Sequence, residues 1–350
     1  MTGPLVRDPG IGYPCPAMSP SPANGRTDGR VGVREVAALA GVSTQTVSRV
    51  LNDSPSLREG TRQRVLDAMA QLNYRPNNAA RALGTATTRT LGVVATDATL
   101  YGPTVAMAAL VTAAREAGRW IATAYADAGD EASVEAALSH VLGQGVDGIV
   151  LLAAHARTRD ALLRRAKGVP IVIMHGGDVD RQAEAETLVV EHLVALGHQR
   201  IGRVGGPPDW IEESSRNVGF RAALVAHGLS PGPTWAGDWS SESGAALATE
   251  VARAARAPAA MTAVAVANDQ MALGLIAALR EHGIEVPTDL SIAGFDDNPD
   301  AAYYQPALTT VRLDVAGEAR RCVAAVFDSG AVPRTDPPLL VIRASTARPR

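Results

Sequence analysis

Val36-Ala37-Ala38-Leu39-Ala40-Gly41-Val42-Ser43-Thr44-Gln45-Thr46-Val47-Ser48-Arg49-Val50-Leu51-Asn52 is the stretch whose reading decides how this chain begins. Val36, Leu39 and Ala40 stand at i, i+3 and i+4, which predicts one apolar stripe of a short helix. Gly41 supplies a residue that tolerates the left-handed conformation at a helix C-terminus. Ser43 is placed to cap a second helix whose inward face is Val47, Val50 and Leu51. Two short helices across a tight glycine turn make a helix-turn-helix. The outward face of the second helix carries Thr44, Gln45, Ser48, Arg49 and Asn52, with Ser43 and Thr46 at its start. These are hydrogen-bonding side chains of a length suited to base edges in a major groove, where Gln pairs with adenine and Arg with guanine.

Downstream, Thr61 to Leu72 reads as a third helix with Val65, Met69 and Leu72 on one face. Asn73 to Gly84 follows, as Asn-Tyr-Arg-Pro-Asn-Asn-Ala-Ala-Arg-Ala-Leu-Gly. Pro76 ends the third helix, Asn77 can cap a short new one and Gly84 can stop it. Together, Val36–Asn52 and Asn73–Gly84 resemble the lactose repressor/galactose repressor family. The resemblance implies that the second segment is a hinge helix that orders on operator DNA. Leu83 then matches the leucine that family members push into the minor groove, and Ala80 the small residue where paired hinge helices touch. Tyr74 and Asn77 join the expected DNA contacts on the same ground. Such a wedge unstacks a base step and kinks the duplex, at a cost of a few kcal/mol offset by new contacts.

Composition and charge agree with a DNA-reading head on a different body. At 350 residues there is room for two or three domains, and 46% hydrophobic residues suit folded globular ones. No run of eighteen apolar residues predicts a membrane span, and Met1 to Asn24 lacks a secretory signal pattern. Cys15 and Cys322 are the only cysteines, too few for a disulfide framework or a zinc site. A cytoplasmic location is therefore expected. The net charge is −3. Between Val31 and Arg89, however, eight arginines face four carboxylates, and the remainder is acidic.

Residues 1–30 are rich in Pro, Gly and Ser and are expected to be a disordered extension, with Met18 an alternative start. The helix-turn-helix domain is assigned to 31–72, and the hinge helix and linker to 73–88. From 89 to 350 short β-runs alternate with amphipathic helices, the mark of parallel sheets covered on both faces. The β-runs include Leu91–Ala95, Ile121–Ala126, Gly148–Leu152, Ile171–Met174, Ile201–Val204, Ala263–Ala267 and Leu290–Gly294. Helical stretches between them include Val105–Ala117, Leu188–Leu196, Arg216–His227 and Met271–His282. Some 260 residues are too many for one such sheet, so two lobes with a cleft between them are expected. Ligands of open α/β sheets sit beyond the carboxyl ends of the strands.

The body resembles the same family over nearly its full length. The matching runs are Val-Glu-His-Leu-Val-Ala-Leu-Gly-His (190–198), Gly-Asp-Trp-Ser (237–240), Ala-Asn-Asp-Gln-Met-Ala-Leu-Gly (267–274), Gly-Phe-Asp-Asp (294–297) and Pro-Ala-Leu-Thr-Thr-Val (306–311). The implied fold is an all-α helix-turn-helix head with a hinge helix, then an α/β two-lobed domain like the periplasmic binding proteins. Asp296, Asn268 and Arg216 match ligand-binding positions of the family, Arg216 being read as opening a helix. Trp210 and Trp239 are expected aromatic plates for a sugar ring, and Asp97 and Tyr101 first-lobe contacts. Structural alternatives stand beside these roles: an ion pair for Asp296 and Arg216, a helix cap for Asn268, and plain packing for Trp239.

Between Met174 and the helix ending at Leu196 the chain is roughly seven residues shorter than the family pattern, so a crossing strand is expected to be curtailed or missing. Gly-x-Ser-x-Gly, His-Glu-x-x-His and Gly-x-x-x-x-Gly-Lys are all absent, and His192 and His198 read as packing and turn residues. The resemblance implies a dimeric repressor of galactoside or β-glucoside utilisation genes, bound to a near-palindromic operator and released by sugar, with no cofactor or metal. The leucine heptads of a tetramerising helix do not follow the last strand. A transport solute receptor and a sugar-active enzyme are the competing classes.

Overall fold

In a computed structural model the chain forms two compact units, Met1–Asn78 and Ala79–Arg350. The structure describes residues 31–52, 57–75, 87–97, 99–153, 155–176, 180–327 and 332–350. The expected extension 1–30 and the hinge residues Asn77, Ala80 and Leu83 lie outside them.

The described part of the first unit is three helices, α1 (Val33–Ala40), α2 (Thr44–Leu51) and α3 (Glu59–Gln71). Gly41 ends α1 in the left-handed region at φ 65°, ψ 40°, and the Val42 N–H turns back to the Ala37 carbonyl at 3.0 Å. Ser43 caps α2, its Oγ accepting from the Thr46 N–H at 3.1 Å. Val36, Ala37, Ala40, Val47, Val50, Val65 and Ala68 form the core, against which Leu51, Met69, Leu72 and Tyr74 pack.

One sequence expectation fails here. Leu39 is 50% exposed and Ala37 takes its inward place. The buried stripe is centred between Val36 and Ala37, and at 100° per residue Leu39 points roughly 100° away from it.

The second unit holds two four-stranded parallel sheets of the same topology. In the first lobe the order is β2 (Trp120–Ala126), β1 (Thr90–Thr96), β3 (Gly148–Leu152), β4 (Ile171–Ile173). Helices α4 (Tyr101–Glu116), α5 (Glu131–Gly143) and α6 (Ala156–Arg165) connect these strands. In the second lobe the order is β6 (Thr234–Ala236), β5 (Ile201–Gly205), β7 (Ala263–Val266), β8 (Ser291–Ala293). Helices α7 (Arg181–Ala195), α8 (Ile211–Ala226), α9 (Ser241–Ala246), α10 (Ala248–Ala255) and α11 (Asp269–Glu281) accompany them. Helical crossovers between parallel strands bury both faces of each sheet, which is why β1, β3, β5 and β7 are buried along their whole length and mostly apolar, with Thr90, Thr96 and Arg203 the polar exceptions.

The chain returns to the first lobe through β9 (Thr310–Arg312) and α12 (Val315–Phe327), then goes back through β10 (Leu339–Val341), antiparallel to β9. α12 packs with α4 over the first sheet through Ala319, Cys322 and Val323. Several boundaries move relative to the sequence expectation. α7 begins seven residues before Leu188 because Asp180 caps it, accepting from the Gln182 and Ala183 N–H groups. α6, α12, β6, β9 and β10 were not read from the sequence. Among the described residues no strand lies between β4 and α7.

Candidate functional site

On α2, Ser43, Thr44, Gln45, Ser48, Arg49 and Asn52 are exposed, while Thr46 is half-buried beside the cap. Four of them occupy one helical face opposite Val47 and Val50, so the burial of one side presents the other. Tyr74 packs its ring against the head core. Burial raises its phenol pKa.

In the second unit the carboxyl ends of β1, β3, β5, β7 and β8 converge on a cavity of about 100 Å³ between the lobes. Trp210, Arg216, Trp239, Asn268 and Asp296 all line it, and so does Tyr101; Asp97 does not. Arg216 is not at a helix start as expected but one turn inside α8, which begins at Ile211 with Trp210 as its N-cap. From there its guanidinium points into the cleft. Its Nε donates to Gln182 Oε1 at 2.7 Å, its Nη1 donates to the Ala267 carbonyl, and its Nη2 stands 3.7 Å from Asp296 Oδ1. The plane lies 3.7 Å over the Phe295 ring. Anchored on three sides, the cation has little rotamer freedom left to lose on binding.

Asp296 follows β8 at φ 110°, a left-handed conformation unusual for a side chain and imposed by the turn off the sheet edge. Burial pushes its carboxyl up to about 6, with Arg216 opposing the shift. Asp269, beneath it, is raised further by burial and by Asp296, and accepts from Thr310 Oγ1 at 2.6 Å and the Asn298 N–H at 2.7 Å. Asn268 caps α11, its Oδ1 accepting from the Met271 N–H at 2.8 Å, while its Nδ2 donates to the Trp239 carbonyl at 2.9 Å. The cap and the cleft position therefore belong to one residue.

Trp239 sits at φ 74° and is buried. Its ring meets Trp210 edge to face at 5.2 Å. Gly206 is required beside it, because a Cβ there would enter the indole. Trp239 Nε1 is buried without a hydrogen-bond partner among the described residues, a donor left for an occupant of the cleft.

Beneath the Gly205-Gly206 loop, Arg203 is held by two buried carboxylates. It donates to Glu186 at 3.2 Å and to Glu213 at 2.5 and 3.0 Å. Glu213 also accepts from the Gly206 N–H at 2.9 Å, fixing the loop that carries Trp210.

The sequence reading missed several groups here, among them His175 and Gln270 of the cavity lining. Gln182 was hidden in the shortened segment, where its capping neighbour Asp180 was the available signal. Glu212, buried and lining the cavity, follows Trp210 by two residues. His155 lies just past the end of β3, the position that had singled out Asp296 and Asn268 on other strands. Asp97, expected as a ligand contact, instead lies 2.8 Å from the His155 Nε2. Among the described residues no group of three or more His, Cys, Asp or Glu side chains could hold a metal ion.

Residues 33–77 match the bacterial regulatory proteins of the lacI family, and 190–346 match the periplasmic binding protein-like domain. The lactose operon repressor of Escherichia coli is 34% identical over 289 residues, covering 80% of this chain and 79% of its own length. The chain belongs to the LacI family. It is a DNA-binding transcriptional repressor, and the relatives it matches are regulators rather than enzymes. The HTH-type transcriptional repressor PurR of Actinobacillus pleuropneumoniae is 32% identical over 80% of this chain and 85% of its own. Among solved structures, the Lac repressor dimer bound to operator and an anti-inducer superposes with a TM-score of 0.75 at 31% identity. That match covers 91% of this chain and 99% of the other. The regulator CelR in complex with cellobiose reaches 0.64 at 28%, over 90% and 100%. No helix among the described residues is long and apolar enough to cross a membrane.

Proposed function

We propose that this repressor senses a compact sugar, a galactoside or β-glucoside, in the cleft between its lobes and binds a near-palindromic operator as a dimer. The observation that carries the reading is the set of groups turned to one small cavity: a fixed guanidinium (Arg216), a carboxylate (Asp296), an indole N–H with no partner among the described residues (Trp239 Nε1) and two tryptophan rings. Sugar hydroxyls need paired donors and acceptors, and a pyranose face needs an apolar plate. About 100 Å³ is small beside the cavities of several hundred Å³ that take drug-sized ligands, which favours a mono- or short disaccharide over a longer chain. Effector binding releases the operator to the extent that it prefers the lobe arrangement incompatible with DNA.

Gln45 and Arg49 read base edges, the other polar residues of α2 and Tyr74 and Asn77 make further DNA contacts, and Ala80 and Leu83 act at the operator centre. A thermal-shift screen of mono- and disaccharides, with purine bases as the comparison set and repeated with operator DNA, tests the effector class. A stabilising purine without any stabilising sugar would replace the reading. On the DNA side, Arg49→Ala and Gln45→Ala each cost about 1–3 kcal/mol on the operator and much less on random DNA. Equal losses on both would reduce these residues to phosphate contacts. Leu83→Ala lessens the bend measured by circular-permutation gel shifts and leaves effector binding intact.

A further inference from the structure

His155 joins the two lobes at the rim of the cleft and is not part of the cavity wall. Its Nε2 lies 2.8 Å from Asp97 Oδ2, at the end of β1 in its own lobe, and its Nδ1 lies 2.9 Å from Asp209 Oδ2, in the loop before α8 of the other lobe. The backbone repeats the connection, the Ala156 N–H donating to the Asp209 carbonyl at 3.2 Å, with a bridge between His155 and Trp210. Trp210 also places its ring edge-on to the imidazole at 5.1 Å.

The proton count of this arrangement is definite. A neutral imidazole has one donor nitrogen and one acceptor nitrogen, whereas both partners here are carboxylates, which only accept. Both nitrogens make good hydrogen bonds only when both carry protons. The groups facing the ring are Asp97 from β1 and Asp209 and Trp210 from the loop before α8. On its own helix, Arg157 acts electrostatically on Asp209.

We propose that His155 is a proton-operated latch: the imidazolium, clasped by Asp97 and Asp209, holds the lobes together, and the latched arrangement takes up one proton from solvent. Burial by itself would lower the pKa of this histidine, but the two carboxylates outweigh it and raise it. A group raised in the latched state contributes fully below the ordinary histidine value of about 6.5 and loses its contribution as pH rises through the raised value. Acid therefore favours the closed lobes and alkali the open ones, by up to about tenfold in population per pH unit between the two values.

The test needs neither effector nor operator, so it stands or falls separately from the sugar reading. Spin labels are placed on the full-length protein at Gln144→Cys, in the first lobe after α5, and Glu250→Cys, on α10 of the second, both exposed. Cys15→Ser removes the other reactive thiol, Cys322 being buried. Pulsed electron-electron resonance then reads the interlobe distance at pH 5.5 and 8.5. The unsubstituted latch shows a larger short-distance population at pH 5.5. In His155→Gln that pH dependence disappears.

Asp209→Asn behaves differently. Its amide can donate to Nδ1 of a neutral imidazole whose Nε2–H still donates to Asp97, so the lobes stay closed at both pH values. In parallel, the His155 Cε1–H resonance, assigned by its loss in His155→Gln, titrates above the ordinary histidine range. An interlobe distance indifferent to pH, a pH response that persists in His155→Gln or in Asp209→Asn, or a His155 titration at or below the ordinary value would each overturn the latch.

Discussion

The two lobes share one topology, β2-β1-β3-β4 and β6-β5-β7-β8, yet they contribute unlike chemistry to the cleft. The second lobe supplies Arg216, Asn268, Asp296, Glu212 and both tryptophans. The first supplies mostly apolar surface, from Leu100, Pro103, Ala106 and Leu152, with Tyr101 and His175 as polar exceptions. The difference extends below the surface. The second lobe contains the buried Arg203–Glu186–Glu213 cluster and the paired carboxyls Asp269 and Asp296, whereas the ends of β1 and β3 spend their polar groups on the His155 contact. One lobe is built to recognise and the other to close over what is recognised. Equal folds can divide labour this way because the strand ends, not the sheets, carry the groups.

The largest effect that would sharpen this contrast lies in the framework of the second lobe. Arg203→Ala leaves Glu186 and Glu213 buried without their cation, and urea unfolding should show a loss of about 3–5 kcal/mol. A loss below about 1 kcal/mol would mean that the recognising lobe does not depend on its buried charges.

Asp296→Asn comes next and has two readouts. Calorimetry with the effector found by the screen should show roughly ten- to a hundredfold weaker binding, about 1.5–3 kcal/mol, since charge-assisted hydrogen bonds become neutral ones. Operator affinity without effector should stay near wild type. The same substitution should stabilise the fold at pH 7.5 by up to about 3 kcal/mol. Asp296 is raised from 3.8 to about 6 in the folded protein, so its ionisation works against folding as pH rises through that range. The stabilisation should shrink as pH falls through about 6. Full effector affinity in Asp296→Asn would move the polar half of the site elsewhere, first to the segment between Met174 and Gln182.

The smallest effect belongs to the closing lobe. Tyr101→Phe removes one neutral hydroxyl at the first residue of α4 and should weaken the effector by about two- to tenfold. A loss equal to that of Asp296→Asn would erase the proposed division between the lobes.

Much of this was legible before any coordinates. The head declares itself through apolar spacing over seventeen residues, a glycine at the turn and a serine cap, all of which act within three or four residues of each other. Leu39 marks the limit, because an eight-residue helix can rotate its stripe by one position without breaking the pattern. The alternation of strands and helices in the body, and the placing of Asn268 and Asp296 just past strand ends, likewise follow from local periodicity. Helices α6 and α12 escaped because charge or small residues blur their apolar faces, as in Ala156–Arg165 with its four arginines. Strands of three residues, such as β6, β9 and β10, are too short to show a period.

What the sequence by itself determined is thus the set of elements, the outward face of α2 and the strand ends at which binding groups can stand. Only the tertiary structure decided which of those groups meet. Arg216 finds Gln182 across 34 residues, and His155 finds Asp97 and Asp209 across 58 and 54. Nothing within a helical turn of any of them announces the partner. The physical reason is that hydrophobic periodicity is set by neighbours in the chain, whereas a buried charge takes its partner from whatever the packing of sheets and crossovers brings within about 3 Å.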